Sequence, residues 1–392
     1  MTSLAHLILL HLLALIVAPL CQAAEPINLR VVWTESPQTE AVVAWDSVGN
    51  GDGTLHIAEV GGKATSHQAT VDAYPGSEGD MITHCYRVQL RDLKPATRYN
   101  LTAQIGSTKG SEQYFITAPD KDAEFKLFFV GDSRSGIDNT RAVSLEMKRA
   151  MEQDPAYLCL LHGGDFANKD ILKDWDPWLS AYALTTTDDG RILPIIPVIG
   201  NHEKEGVLYN IAYGTPGENA EQNYFLCMPS PQVAIIGLNT NISAEGDQRE
   251  FLQKTLEQLK EEKVRYQLPA YHRPAYPAVK TPKGARASWV PLFEEYNVDL
   301  GLESDGHCIK RTVPIRNDQP ADDGVVYLGE GGYGVKQRTP NKNDLWYLKE
   351  PGFSSQAHHY MVLSFTPEAI HYWTTTLGGE QVDSATFAAR KR

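Results

Sequence analysis

The hydrophobic pattern changes texture twice along the chain. Residues 7–18 form an apolar run interrupted by His11. From 27 to about 119, short stretches alternate apolar and polar positions, as in Tyr86-Arg87-Val88-Gln89-Leu90. A period of two puts successive side chains on opposite faces and predicts half-buried strands. Residues 29–33, 41–45 and 99–105 read as further strands, and Asn50-Gly51-Asp52-Gly53 is a turn signal. Thr117-Ala118-Pro119-Asp120-Lys121-Asp122 reads as a linker. Beyond it the apolar runs become nearly continuous at 125–130, 157–161 and 193–199, and 264–270 and 298–302 read as further strands. Continuous runs predict strands buried on both faces. Between them the apolar spacing turns helical, around Ala142, Leu145, Met147 and Met151, and again at Phe251, Leu252, Leu256 and Leu259. An all-β unit followed by an α/β unit is the expected organisation.

The buried runs end alike. The first three close with Gly131-Asp132-Ser133-Arg134, Gly163-Gly164-Asp165-Phe166-Ala167-Asn168 and Gly200-Asn201-His202-Glu203. Two later ones close with Tyr271-His272-Arg273 and Glu303-Ser304-Asp305-Gly306-His307. One Asp after a strand is ordinarily a cap or turn residue. Three successive endings of glycine followed by a metal-capable side chain point instead to a shared site. Strand carboxyl ends are where α/β sheets place ligands. The glycines let the backbone bend so that the next side chain faces inward. Mixed carboxylates and imidazoles are the donor set of Fe, Mn or Zn.

Composition narrows the picture. The chain has 392 residues, 42% of them hydrophobic, enough to bury a core and enough length for two domains. With 36 Lys+Arg against 49 Asp+Glu, the net charge is −13. That excludes a protein that grips long nucleic acid by bulk charge. An anionic ligand would have to be neutralised locally, by a metal or a few placed cations. The run 7–18 falls short of the about 20 residues that span a bilayer. With the small residues after it, the run predicts a signal peptide over residues 1–24 and an exported chain with no membrane span after cleavage. Four cysteines then remain, Cys85, Cys159, Cys227 and Cys308, with no C-x-x-C pair. Export permits disulfides, and all three full pairings stay open. Cys159, inside an apolar run, reads as a buried thiol.

The ordered set Asp132, Asp165, Asn168, Asn201-His202, His272 and Asp305-Gly306-His307 resembles the calcineurin-like metallophosphoesterases. Within them it is most similar to purple acid phosphatases and their bacterial relatives. Leu93-Lys94-Pro95-Ala96-Thr97-Arg98-Tyr99 is similar to the corner of a fibronectin type III sandwich, where a Tyr folds back onto the backbone. The implied fold is a fibronectin III-like β-sandwich over 25–119, then an α/β metallophosphoesterase domain over 120–392. In the latter a central two-sheet β-sandwich is flanked by helices.

The resemblance implies two divalent or mixed-valence metal ions, Fe, Mn or Zn. Asp132 and His307 would bind the first, Asp165 would bridge, and Asn201 and His272 would bind the second. Asp305 stands where the family carries a His, and as a ligand it would harden the second site. Asn168 stands where purple enzymes carry a Tyr; it would offer an amide oxygen or make a turn hydrogen bond. His202 would bind phosphate or protonate the leaving group. Arg134 would clamp phosphate, or else form a surface salt bridge. Glu203 would orient a ligand, and Gly329-Glu330-Gly331-Gly332-Tyr333-Gly334 would form a flexible loop nearby. The implied activity is acid phosphatase-like: a metal-bridging hydroxide attacks a small phosphoester, monoesters ahead of diesters. The alternatives are a phosphodiesterase of the same fold and a catalytically degenerate metal-binding surface module.

Overall fold

A computed structural model describes residues 24–79, 81–214 and 222–390. The expected signal peptide over residues 1–24 lies, apart from Ala24, outside the described residues.

The amino-terminal strands form two facing layers. Thr70–Ala73, His84–Leu90, Ala41–Ser47 and Ile27–Val32 lie in one; Thr65–Gln68, Gly53–Glu59, Arg98–Ile105, Thr108–Lys109 and Gln113–Ile116 form the other. Alternate residues of each strand face inward, so Val31, Val43 and Trp45 meet Leu55, Leu101 and Phe115 in one core. The corner is closed by the Tyr99 hydroxyl, which accepts the Lys94 N–H at 2.8 Å. This is the hydrogen bond expected of a fibronectin III-like unit.

Two sheets make the second unit, one of them continuous with the first amino-terminal layer. Phe125–Val130, Tyr157–His162 and Ile195–Pro197 run parallel, and Phe125–Val130 also pairs antiparallel with His359–Phe365. The second sheet has seven strands, with Val233–Leu238, Tyr266–Tyr271, Leu300–Glu303 and Val326–Gly329 parallel at its centre. The reason strand Phe125–Val130 lacks polar alternation is now visible. Leu127 and Phe129 pack between the sheets against residues such as Ile235, Leu268 and Leu302. Phe128 and Val130 face the other way, beneath helices Ile137–Gln153 and Leu172–Ala183. Helix Asp247–Glu261 covers the outer face of the second sheet through Leu252, Leu256 and Leu259. The result is helix, sheet, sheet, helix, as the resemblance implied.

The two units share a sheet. Val32 pairs in parallel with Ile195, which joins amino-terminal and carboxyl-terminal strands into one ten-stranded sheet. Buried Arg30 crosses the same junction, its Nε donating to the Ala212 carbonyl at 2.8 Å. The linker does not hang free at its start: Thr117 and Ala118 are buried, and the Ala118 N–H donates to the Pro37 carbonyl at 3.0 Å. Cys85, Cys159, Cys227 and Cys308 are all buried free thiols. Among the described residues no helix is long and apolar enough to cross a membrane.

Candidate metal centre

The strand ends converge between the two sheets. Asp132 follows Phe125–Val130, Asp165 follows Tyr157–His162, His272 follows Tyr266–Tyr271, and Asp305 and His307 follow Leu300–Glu303. Asp132, Asp165, His272 and Asp305 each offer a ligand atom within 4.8 Å of the others, and all four are buried. His307 completes the group, its Nε2 lying 3.1 Å from Asp132 Oδ1.

The backbone turns these residues inward by strain rather than by glycine alone. Asp132, Asp165, Asp305 and His307 have φ of 58°, 60°, 67° and 61°. Side chains with a Cβ seldom adopt this left-handed region, and its cost is tolerated where surrounding structure over-determines it. Glycine matters here through close approach. A Cβ on Gly331 would stand 1.9 Å from Asp132 Oδ2, and one on Gly200 would stand 2.2 Å from the Asp165 nitrogen.

Two ring orientations follow from hydrogen-bond chemistry. His272 Nδ1 lies 2.8 Å from the Gly163 carbonyl, which can only accept. Nδ1 therefore carries the proton, and Nε2 faces the carboxylates. Nε2 is 3.1 Å from Asp165 Oδ1 and 3.6 Å from Asp305 Oδ1, yet makes no hydrogen bond of acceptable geometry. Asp132 Oδ1 is likewise buried without a hydrogen-bond partner. Burial disfavours the His272 imidazolium, but Asp165, Asp305 and Asp132 outweigh it and hold its pKa well above the usual range. The pocket thus calls for positive charge. A divalent cation supplies it, and the orphaned Asp132 and His272 atoms fit one.

His202 is fixed the same way. Its Nδ1 donates to the Asn168 carbonyl at 2.5 Å, its backbone N–H donates to Asp165 Oδ1 at 2.9 Å, and its Nε2 lies 3.7 Å from Asp165 Oδ2. Asn201, half-buried, sits in the same turn between Gly200 and His202. Arg134 is not a surface residue: its side chain is 11% exposed, and its Nε donates to Asp165 Oδ2 at 3.0 Å. Its other nitrogens reach Asn168 Oδ1 at 3.2 Å and His307 Nε2 at 3.4 Å. Asn168 Oδ1 also accepts from Ser135 Oγ at 3.1 Å. The structure therefore turns the Asn168 amide oxygen to Arg134 and Ser135, apart from the four-residue group.

Other residues were not legible as part of the site. Fully buried Lys310 donates to Glu303 and, at 2.9 Å, to Glu330 Oε1. Glu303 Oε1 in turn accepts the Tyr271 hydroxyl at 2.6 Å and the Ala275 N–H at 2.7 Å. This charged knot ties together the segments that carry His272, Asp305 and His307. Its only sequence signal is a Glu and a Lys flanking the Asp305–His307 motif. The glycine-rich 329–334 segment is buried throughout instead of forming a flexible loop. The N–H groups of Gly334 and of Val335, just after it, both donate to the Asp132 carbonyl at 3.1 Å. Lys280 pairs with Asp305 Oδ1, and Arg338 Nη1 donates to the Asp305 carbonyl at 3.1 Å.

Known proteins share this fold. Residues 125–307 match the calcineurin-like phosphoesterase family. The chain carries a calcineurin-like phosphoesterase domain. The domain holds every candidate ligand, from Asp132 to His307, inside the matched span. The structure is similar to a purple acid phosphatase from yellow lupin (Lupinus luteus) seeds, with a TM-score of 0.80 at 16% identity, covering 93% of this chain and 74% of that one. It is also similar to PhoD, with a TM-score of 0.64 at 11% identity, covering 93% and 94%. An uncharacterized protein of Mycobacterium tuberculosis strain H37Rv is 24% identical over 369 residues, covering 81% of this chain. The chain spans 65% of that relative's length.

Proposed function

We propose that this chain is a dinuclear-metal phosphohydrolase that cleaves small phosphoesters, acid phosphatase-like in substrate choice. The observation that carries the reading is the buried Asp132, Asp165, His272 and Asp305 group, with its orphaned Asp132 Oδ1 and His272 Nε2. Asp132 and His307 would hold one ion, Asp165 both, and Asn201, His272 and Asp305 the other. When bound, the metals supply Lewis-acid charge to the phosphoryl oxygens and acidify water.

The chain's own residues do the rest. Arg134, nearly buried, presents a forked cation beside Asp165 and suits a phosphoryl group. Asn168 and Ser135 hold that guanidinium in place. His202 has Nδ1–H committed to a carbonyl, so only its Nε2 can gain and lose a proton, the requirement for a group that protonates a leaving oxygen. The acidic chain thereby concentrates positive charge in one buried site and leaves nucleic acid without a basic face. The signal-like residues 1–24 support export, testable by sequencing the amino terminus of the mature protein.

The direct test is to load the protein with Mn, Fe or Zn and assay nitrophenyl phosphate and bis-nitrophenyl phosphate. Turnover is expected, with Asp165→Asn losing both turnover and bound metal. Failure to cleave either ester with any metal would return the chain to the degenerate-module alternative.

A further inference from the structure

Three carboxylates converge in the buried group: Asp132, Asp165 and Asp305. Two cations answer them. Arg134 pairs with Asp165, and Lys280 pairs with Asp305. The two pairs differ in depth. The Asp305 side chain is 5% exposed and that of Lys280 37%, so the ammonium stands at the mouth of the site with the carboxylate behind it. The backbone of this segment is anchored. The Ala278 N–H donates to Glu330 Oε1 at 2.8 Å, and the Ala278 carbonyl accepts the Asn341 N–H at 2.8 Å. Lys280 is therefore held near the site by its main chain while its flexible stem can turn between Asp305 and solvent.

We propose that Lys280 is a specificity-determining cation that favours dianionic phosphomonoesters over monoanionic diesters at this site. The inference rests on the phosphohydrolase reading above. Two divalent ions facing three carboxylates leave one net positive charge; Lys280 and Arg134 raise it to three. A phosphomonoester carries close to two negative charges at neutral pH and a diester one. Each added cation then helps the monoester about twice as much as the diester. Once Asp305 turns toward a metal, the Lys280 ammonium loses its partner and the incoming anion replaces it. Lys280 also competes with metal for Asp305, so its removal should tighten metal binding while weakening anion binding.

The experiment compares wild type with Lys280→Met and Lys280→Arg. For Lys280→Met, kcat/KM for nitrophenyl phosphate is expected to fall about tenfold and that for bis-nitrophenyl phosphate less than about threefold. Inhibition by inorganic phosphate should weaken about tenfold, and Mn should be retained more tightly against a chelator. Lys280→Arg should restore the monoester preference. Equal losses on both esters, or unchanged phosphate inhibition and Mn retention, would overturn the proposal. If wild type cleaves neither ester, the hydrolase reading fails by itself. Calorimetric titration of wild type and Lys280→Met with Mn and inorganic phosphate still decides the part assigned to Lys280.

Discussion

Glu203 holds Asp165 by its backbone: Glu203 Oε2 accepts the Asp165 N–H at 2.9 Å. The same carboxylate accepts the N–H groups of Gly200 at 2.8 Å and Phe166 at 2.9 Å. It bridges the two loops that present Asp165 and Asn201, and fixes the strained turn at Asp165. Residues that orient metal ligands in this way typically matter ten- to a hundredfold for affinity. Glu203→Ala is expected to weaken metal retention by about that factor, read by chelator competition. Retention equal to wild type would show that the turn holds without it.

A second prediction concerns the junction between the two units. Arg30 and Asp46 form a fully buried pair, with Nη1 to Oδ2 at 2.8 Å and Nη2 to Oδ1 at 3.0 Å. Tyr74 adds a hydrogen bond to Asp46 Oδ1 at 2.9 Å. Asp46→Ala would strand a buried guanidinium, which costs roughly 3–5 kcal/mol. Urea unfolding should register that loss; a change below about 1 kcal/mol would mean that the guanidinium finds other acceptors.

Acid sensitivity follows from His359. It is buried in the central sheet, with Nδ1 2.8 Å from the Ala357 carbonyl. Burial pushes its pKa down to about 4. The unfolded chain therefore takes up this proton first, near pH 6.5. The contribution to stability is complete above pH 6.5 and is lost as pH falls through about 4. The shift amounts to about 3 kcal/mol. His359→Leu should flatten the unfolding free energy between those limits relative to wild type; parallel curves would assign the acid loss elsewhere.

Colour supplies a fourth check. Purple enzymes owe theirs to a Tyr at the position of Asn168. Three tyrosine hydroxyls near this site are committed elsewhere: Tyr271 to Glu303, Tyr276 to Asp318 and Tyr333 to Ser144. Iron-loaded protein is expected to lack a tyrosinate charge-transfer band in the visible spectrum. A strong band would require a tyrosine to reach the iron.

Much of this molecule was legible locally. Alternation marked the sandwich strands, continuous apolar runs marked the buried parallel strands, and the ligand residues stood at their ends, because backbone pattern and turn chemistry are local properties. The means of turning those ligands inward was not legible. Glycines precede Asp132 and Asp165, yet the aspartates themselves take the left-handed conformation, and only packing on every side can impose it.

The sequence by itself determined the order of strands and helices, the carboxylates and imidazoles available, and the acidity that demands local neutralisation of an anion. Tertiary structure alone decided which charges meet. Lys280 reaches Asp305, Lys310 lies between Glu303 and Glu330, Asn168 turns to Arg134, and Val32 pairs with Ile195 to merge two units into one sheet. These partners lie up to 163 residues apart, from Val32 to Ile195, and no local pattern encodes them. They are selected when burial leaves each charge or strand edge only one way to be satisfied.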